Sequence, residues 1–400
     1  MPQPKLNKHI PTILALSVVI LLSCTTYGQN RNELTVNGFA GYGSNALNNE
    51  FMNKLVLGGN ISNSLKDQTL NHTNKYNRIG ADLTYEVYFK NYSDTLFDNA
   101  PNWRLYFGLG SYTQYSSTFT RDLYKTIFYG NKVFGDQEAS IGGSQFFLLD
   151  FKKITIGFTH IKHKLSIGLS VVSGNNLEQL HLKKGTFKTQ NNGASILINT
   201  DATYLKSDSL GGGYLSFSGI GSTIDIIKEF KFADVAIKNL GFATWKRNPS
   251  YNKVILKDYT FEGFRIDDIT DTEDFSFQNT FDTVIQENQS KSFTRLLPFE
   301  FLIISKDHFN RKIEPMYGFR SRAFSNYHPY QYIGLTLRPF SHFQVSSAIS
   351  YGGYTTFEGK LWLSLYGKNY QTSVGTDNLY GLISKNGFGN SVLFSLSVFL

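Results

Sequence analysis

The chain is short of the residues that define several protein classes. It has one cysteine, Cys24, so it can build neither a disulfide framework nor a cysteine-ligated zinc site. Charged residues make up only 18%, below the ~25% of ordinary soluble domains. Beyond the N-terminus no apolar run approaches the ~18 residues of a membrane-spanning helix. A mean hydropathy of −0.24 also argues against a helical membrane protein. Proline is scarce at nine residues, which removes one bar to long strands. Aromatics are abundant, with 34 Phe and 24 Tyr, and there are 35 Gly. Disordered chains lack aromatics, so disorder is excluded. The balance points to an all-β protein.

The N-terminus has the plan of an export signal. Lys5 and Lys8 form a positive segment, and residues 13–22 form an apolar stretch too short to span a bilayer. Small residues at Thr26 and Gly28 favour cleavage before Gln29, leaving 29–400 as one mature domain. The alternative exit is the lipobox-like Leu21-Leu22-Ser23-Cys24, with Cys24 lipidated. Residues 1–28 carry two lysines and no acid, so their removal lowers the net charge from +8 to +6. The basic residues are scattered, and nucleic acid is not an expected partner.

The body alternates with a period of two, the signature of strands. In 79–89 every odd position is apolar, from Ile79 to Phe89, while Asp82, Thr84 and Glu86 fall between them. The same pattern runs through 103–110, 153–158, 164–171 and 343–351. It returns at the C-terminus in Val392, Phe394, Leu396, Val398 and Leu400. Segments 153–158 and 164–171 form a hairpin turning near His160 and His163. The second face is Gly, Ser, Thr, Tyr and scattered charge, not the Lys and Glu of a soluble sandwich or propeller. Apolar toward lipid and small-polar toward a lumen is the pattern of a transmembrane barrel, and closure removes unpaired edges. The expectation is one antiparallel β-barrel of about 14 strands, within 12–16. Residues 47–73 depart from the alternation. Phe51, Met52, Leu55 and Val56 are spaced for a helix, Gly58-Gly59 breaks it, and Ser62 or Asn63 caps a second. These two short helices are expected to plug or gate the lumen. Residues 266–292 are acidic and read as a loop.

Three stretches carry a resemblance. Phe51-Met52-Asn53-Lys54-Leu55, Gly58-Gly59-Asn60-Ile61-Ser62 with Leu65-Lys66-Asp67, and Asn77-Arg78-Ile79-Gly80-Ala81-Asp82 are similar to the N-terminal part of a Bacteroidota outer-membrane barrel family of unknown function. Ile224-Asp225-Ile226, Asn239-Leu240-Gly241-Phe242 with Trp245, and Leu297-Pro298 extend the match. At Ile227 the family pattern would have Gly. Gly375-Thr376-Asp377-Asn378-Leu379 resembles the related PorP/SprF-like membrane proteins. The resemblance implies a barrel at the cell surface and no particular substrate.

Catalytic signals are sparse. His160 and His163 lack an acidic third ligand, so no metal is expected. Gly211-Gly212-Gly213 is followed by no Gly-Lys-Ser/Thr and reads as a turn. Ser341-His342 is the nearest Ser/His pair, without a base–orienter partner. No cofactor is implied. With apolar faces outward, Asp82, Glu86 and Arg104 point into the lumen, and Asp225 joins them. Trp103, Trp245 and Trp362 are expected as aromatic anchors at the lipid interface. Two functions fit: a channel or transporter for small or hydrophobic solutes, or a non-catalytic scaffold holding a periplasmic or surface protein partner in the outer-membrane lipid.

Overall fold

The computed structural model describes residues 32–91, 102–190, 195–207, 218–246, 250–261, 285–289, 292–306 and 311–400. The export segment with Cys24, Gly211–Gly213 and most of 266–292 lie outside them.

Strand β1 (Glu33–Ser44) leads through helices α1 (Asn49–Leu57) and α2 (Asn63–His72) into β2 (Tyr76–Lys90) and β3 (Trp103–Thr120). Helix α3 (Arg121–Tyr129), a 3-10 turn and β4 (Glu138–Ser140) precede the long strands β5 (Gln145–His160) and β6 (Leu165–Gln190). Next come β7 (Ser195–Lys206), β8 (Gly219–Glu229), β9 (Ala233–Trp245), β10 (Ser250–Phe261) and β11 (Ile285–Gln289). Then follow β12 (Phe293–Leu296), β13 (Glu300–Ser305), β14 (Ile313–Arg322), β15 (His328–Phe340) and β16 (Phe343–Gly353). The chain ends through β17 (Phe357–Tyr366), β18 (Tyr370–Thr376), α4 (Leu379–Ile383) and β19 (Gly389–Phe399).

Fifteen of these segments form the fourteen strands of a closed antiparallel barrel. The ring runs β1, β2, β3, β5, β6, β8, β9, then β12 and β13 as one interrupted strand, then β14 through β19. It closes because β19 pairs with β1 from Glu33↔Phe399 to Gly43↔Gly389. Strand β6 is longer than its barrel neighbours require. Its first half pairs with β8 inside the ring, and its second half leaves the ring to pair with β7, which carries β10 and then β11.

The alternation explains the two faces. Leu83, Tyr85, Phe107, Leu109, Ile154, Ile156, Leu169, Val171, Ile333 and Leu335 are exposed on the outside. Apolar side chains standing in a belt around a closed ring suit a lipid surface. Among the described residues no helix is long and apolar enough to cross a membrane, so the crossing falls to the strands. Turns at one end are short, as at 341–342 and 367–369, whereas the other end carries all four described helices. Asn48, Ser62 and Thr120 cap α1, α2 and α3 by accepting from Phe51, Leu65 and Leu123 N–H.

Candidate functional site

The inner face is where the chain concentrates its charge. Asp82 and Glu86 flank Thr84 on the inward side of β2, and both are buried. Opposite them, β14 turns Arg320 and Arg322 inward. The Arg322 guanidinium donates to both oxygens of Asp82 at 2.9 and 3.1 Å, to Glu300 Oε1 at 2.7 and 3.0 Å, and to the Tyr354 hydroxyl at 3.2 Å. Its face lies 4.9 Å from the Tyr327 ring. In the ring of fourteen, β2 is second and β14 is ninth, so Arg322 joins opposite walls. Eight strands already give an interior that side chains just fill. A circular ring of fourteen would hold these walls too far apart, so the cross-section is flattened at this level.

Further contacts thicken the layer. Glu86 accepts from the Tyr88 and Tyr112 hydroxyls, and Lys238 of β9 lies 3.6 Å from it. Arg78 reaches Gly353 O and Thr355 O, tying the β16–β17 turn into the mouth. Beside this layer, Lys153 donates to Asp225 at 2.6 Å and to Asn239 Oδ1 at 2.7 Å, while Asn239 N–H donates to Asp225. A third pair, Arg338 with Glu314 at 2.9 Å, sits nearer the short-turn end. Toward the long-loop end the interior between β3 and β9 becomes apolar. Tyr112 stacks on Phe151 at 4.7 Å, and Leu149, Val172, Leu297 and Trp245 complete a buried cluster.

Asp82, Glu86 and Asp225 therefore stand on the inner face, and Arg322 and Lys238 bring Asp82 and Glu86 into one layer. Arg104 shares the inner face but lies at the short-turn end, opposite Thr159. The tryptophans differ from expectation. Trp103 points outward and meets the His160 ring edge-on at 4.8 Å. Trp245 is fully buried, packed over Gly174 and Gly219 inside the barrel. The cause is a one-residue bulge. Asn239 adopts φ 61, and the β8–β9 register shifts between Ile224 and Ile226. Alternation inverts beyond the bulge, turning Trp245 from lipid to lumen. Trp362 also faces inward, beside Lys360, because Leu361, Leu363 and Leu365 take the outer face.

The plug expectation for 47–73 is also corrected. The helices form as the spacing predicts, but Phe51, Met52 and Leu65 pack against Ile79, Tyr42, Tyr115 and Phe119. Those four belong to the outward face of β1, β2 and β3. Helix α3 completes the cluster through Tyr124, whose hydroxyl donates to Lys66 O. Burial pushes that hydroxyl up to about 12. The helices thus brace the outer wall at the long-loop end and spend their apolar faces there.

His160 and His163 share the β5–β6 turn, with His163 N–H donating to His160 Nδ1. Ser341 and His342 form the turn between β15 and β16. Among the described residues no three His, Cys, Asp or Glu side chains gather to hold a metal.

No protein-family model and no curated protein matches the chain. Among solved structures, a Pseudomonas aeruginosa FadL homologue is 8% identical, covering 93% of this chain and 90% of its own, with a TM-score of 0.39. The P. putida toluene transporter TodX is 9% identical, covering 94% and 89%, with a TM-score of 0.33. A Rhodopseudomonas blastica porin variant is 7% identical, covering 92% and 100%, with a TM-score of 0.26. At these scores none of them bears on what this chain does.

Proposed function

We propose that this protein is an outer-membrane channel for small solutes, held shut in this conformation by the Arg322 layer. The apolar belt and closed ring suit a bilayer. The short-turn end then faces the periplasm and the helical end the exterior, the usual orientation of such barrels. Residues 1–28 serve as the export signal, and the Bacteroidota resemblance agrees with that location.

The observation that carries the reading is that charged groups, not apolar ones, join the opposing walls. A permanently solid barrel is as well served by apolar packing, because buried ion pairs often stabilise no better than hydrophobic replacements. A charge layer can separate once water enters, since both partners recover their hydration. The experiment is conductance in planar bilayers. Arg322→Ala should conduct well above the wild type. A variant that remains a folded barrel and stays silent would contradict the channel.

A scaffold is the second reading, and one observation favours it. The buried Trp245 cluster fills the β3–β9 side of the interior, and the sheet of β7, β10 and β11 stands outside the ring as a surface for a protein partner. On that reading Arg322→Ala stays sealed, while removal of the outer sheet releases the partner.

A further inference from the structure

A cavity of about 60 Å³ lies beside the Arg322 layer, walled by β1, β15 and β17 and by the turns after β14 and β16. One water needs ~10–15 Å³ by such a measure, so the space suits a ligand of a few heavy atoms. Its walls combine carboxylates with aromatic faces. Tyr327 meets Tyr354 at 5.1 Å and 86°, and Tyr330 at 6.5 Å and 49°, so the three rings present surfaces at different angles.

The charges around the cavity balance in number, four carboxylates against four cations, but they are unevenly paired. Asp82 is matched by Arg322, Asp377 by Lys360 at 2.9 Å, and Arg320 is turned to Glu300 at 3.7 Å. Arg78 is committed to the carbonyls of Gly353 and Thr355. Glu358 has no cation at ion-pair distance among the described residues and accepts from the Asn378 amide at 2.7 Å. A second observation is independent of the acids. Tyr330 is 7% exposed, lines the cavity, and its hydroxyl has no hydrogen-bond partner among the described residues. A buried hydroxyl is ordinarily satisfied, so an unpaired one facing a cavity marks a place for a ligand atom.

We propose that this cavity binds a small organic ammonium ion. The ammonium hydrogens would be shared between the Glu358 carboxylate and the Tyr330 oxygen. The short alkyl part would lie against the rings of Tyr327 and Tyr354, which offer apolar contact. A half-buried carboxylate gains from a partner that brings both charge and hydrogen bonds. The site belongs to the closed barrel and does not depend on whether the lumen conducts.

The test is calorimetric titration of the full-length protein in detergent with ethylammonium, and with ethanol as the neutral comparison. Saturable binding of ethylammonium without binding of ethanol is expected. Glu358→Gln should weaken it at least tenfold, and Tyr330→Phe several-fold. Tyr330→Phe deletes one oxygen and keeps the ring, so it tests the site should Glu358→Gln fail to fold. Heat-dependent gel mobility reports folding of both. No binding to the wild type, equal binding of ethanol, or unchanged affinity in folded Glu358→Gln would overturn the proposal. The conductance of Arg322→Ala is a separate measurement, so failure here leaves the channel reading standing and the reverse also holds.

Discussion

Gly80 lies directly beneath the ring of Tyr354. A Cβ placed on Gly80 would stand 2.2 Å from two of the ring carbons. The ring holds its place because its hydroxyl accepts from Arg322. Glycine on β2 is thus the space into which the turn after β16 folds. Gly80→Ala should displace Tyr354 and cost about 1–3 kcal/mol, the usual penalty of overpacking. The denaturant midpoint in detergent measures it. Tyr354→Ala in the same chain should recover part of the loss, since the two residues share one contact. Equal losses with and without Tyr354 would separate Gly80 from the ring.

Arg322 stands between two buried carboxylates. Removing it as Arg322→Met leaves Asp82 and Glu300 without their partner. The loss should be about 3–5 kcal/mol, as for other broken buried pairs. The triple change with Asp82→Asn and Glu300→Gln should restore most of it, because no uncompensated charge remains. Unfolding monitored by the heat-dependent mobility shift distinguishes the two. A single variant as stable as the wild type would mean that the three groups are hydrated and uncoupled.

Phe51 is fully buried on the outer wall, against Tyr124 and Phe128 at 5.9 and 5.0 Å. Phe51→Ala should loosen α1–α3 by about 3–5 kcal/mol, the scale of a large cavity in a core. Faster protease cleavage at 49–72 is the readout. Conductance should not rise, because these helices pack outside the lumen. A rise would return them to the role of a plug.

Tyr124 also gives the helical brace a pH limit. Its hydroxyl is raised from 10.0 to about 12 by burial. A folded-state value above the unfolded one stabilises the neutral form. That contribution is complete below pH ~10 and is lost as pH rises through about 12. Near-UV circular dichroism of the wild type should change over this window. Tyr124→Phe should flatten the change, and an identical transition in the variant would assign it elsewhere.

Much of the wall was legible because period two is local. The odd apolar positions of 79–89 predict the inward side of Asp82 and Glu86 from β2 alone, and Ser62 caps α2 where the spacing places a helix start. What joins the walls is not local. Asp82 and Arg322 are 240 residues apart, and Glu314, Arg320 and Arg322 fall in a strand whose polar residues and Pro315 mask its alternation. Trp245 was misplaced by one residue of bulge at Asn239, an event that leaves no mark in hydrophobicity. Trp362 was readable, since Leu361, Leu363 and Leu365 already claim the lipid side. The outer wall cluster was missed for another reason: Ile79 simply continues the apolar run of β2, while the outward positions Ser111, Thr113 and Ser117 around Tyr115 and Phe119 break the run in β3 without showing that helices replace lipid there.

Strand β6 carries a mechanical consequence. It has 26 residues, against the ~10 needed to cross a bilayer, and the same backbone forms part of the barrel and then the root of the outer sheet. Its two halves meet at a one-residue bulge, where Asp150 and Phe151 of β5 face Asn176 and Gly174 and pass over Asn175, and a bulge bends a strand without cutting it. A tug or twist applied to β7, β10 and β11 at the surface therefore reaches the staves of the barrel as leverage through that bend, along one unbroken backbone.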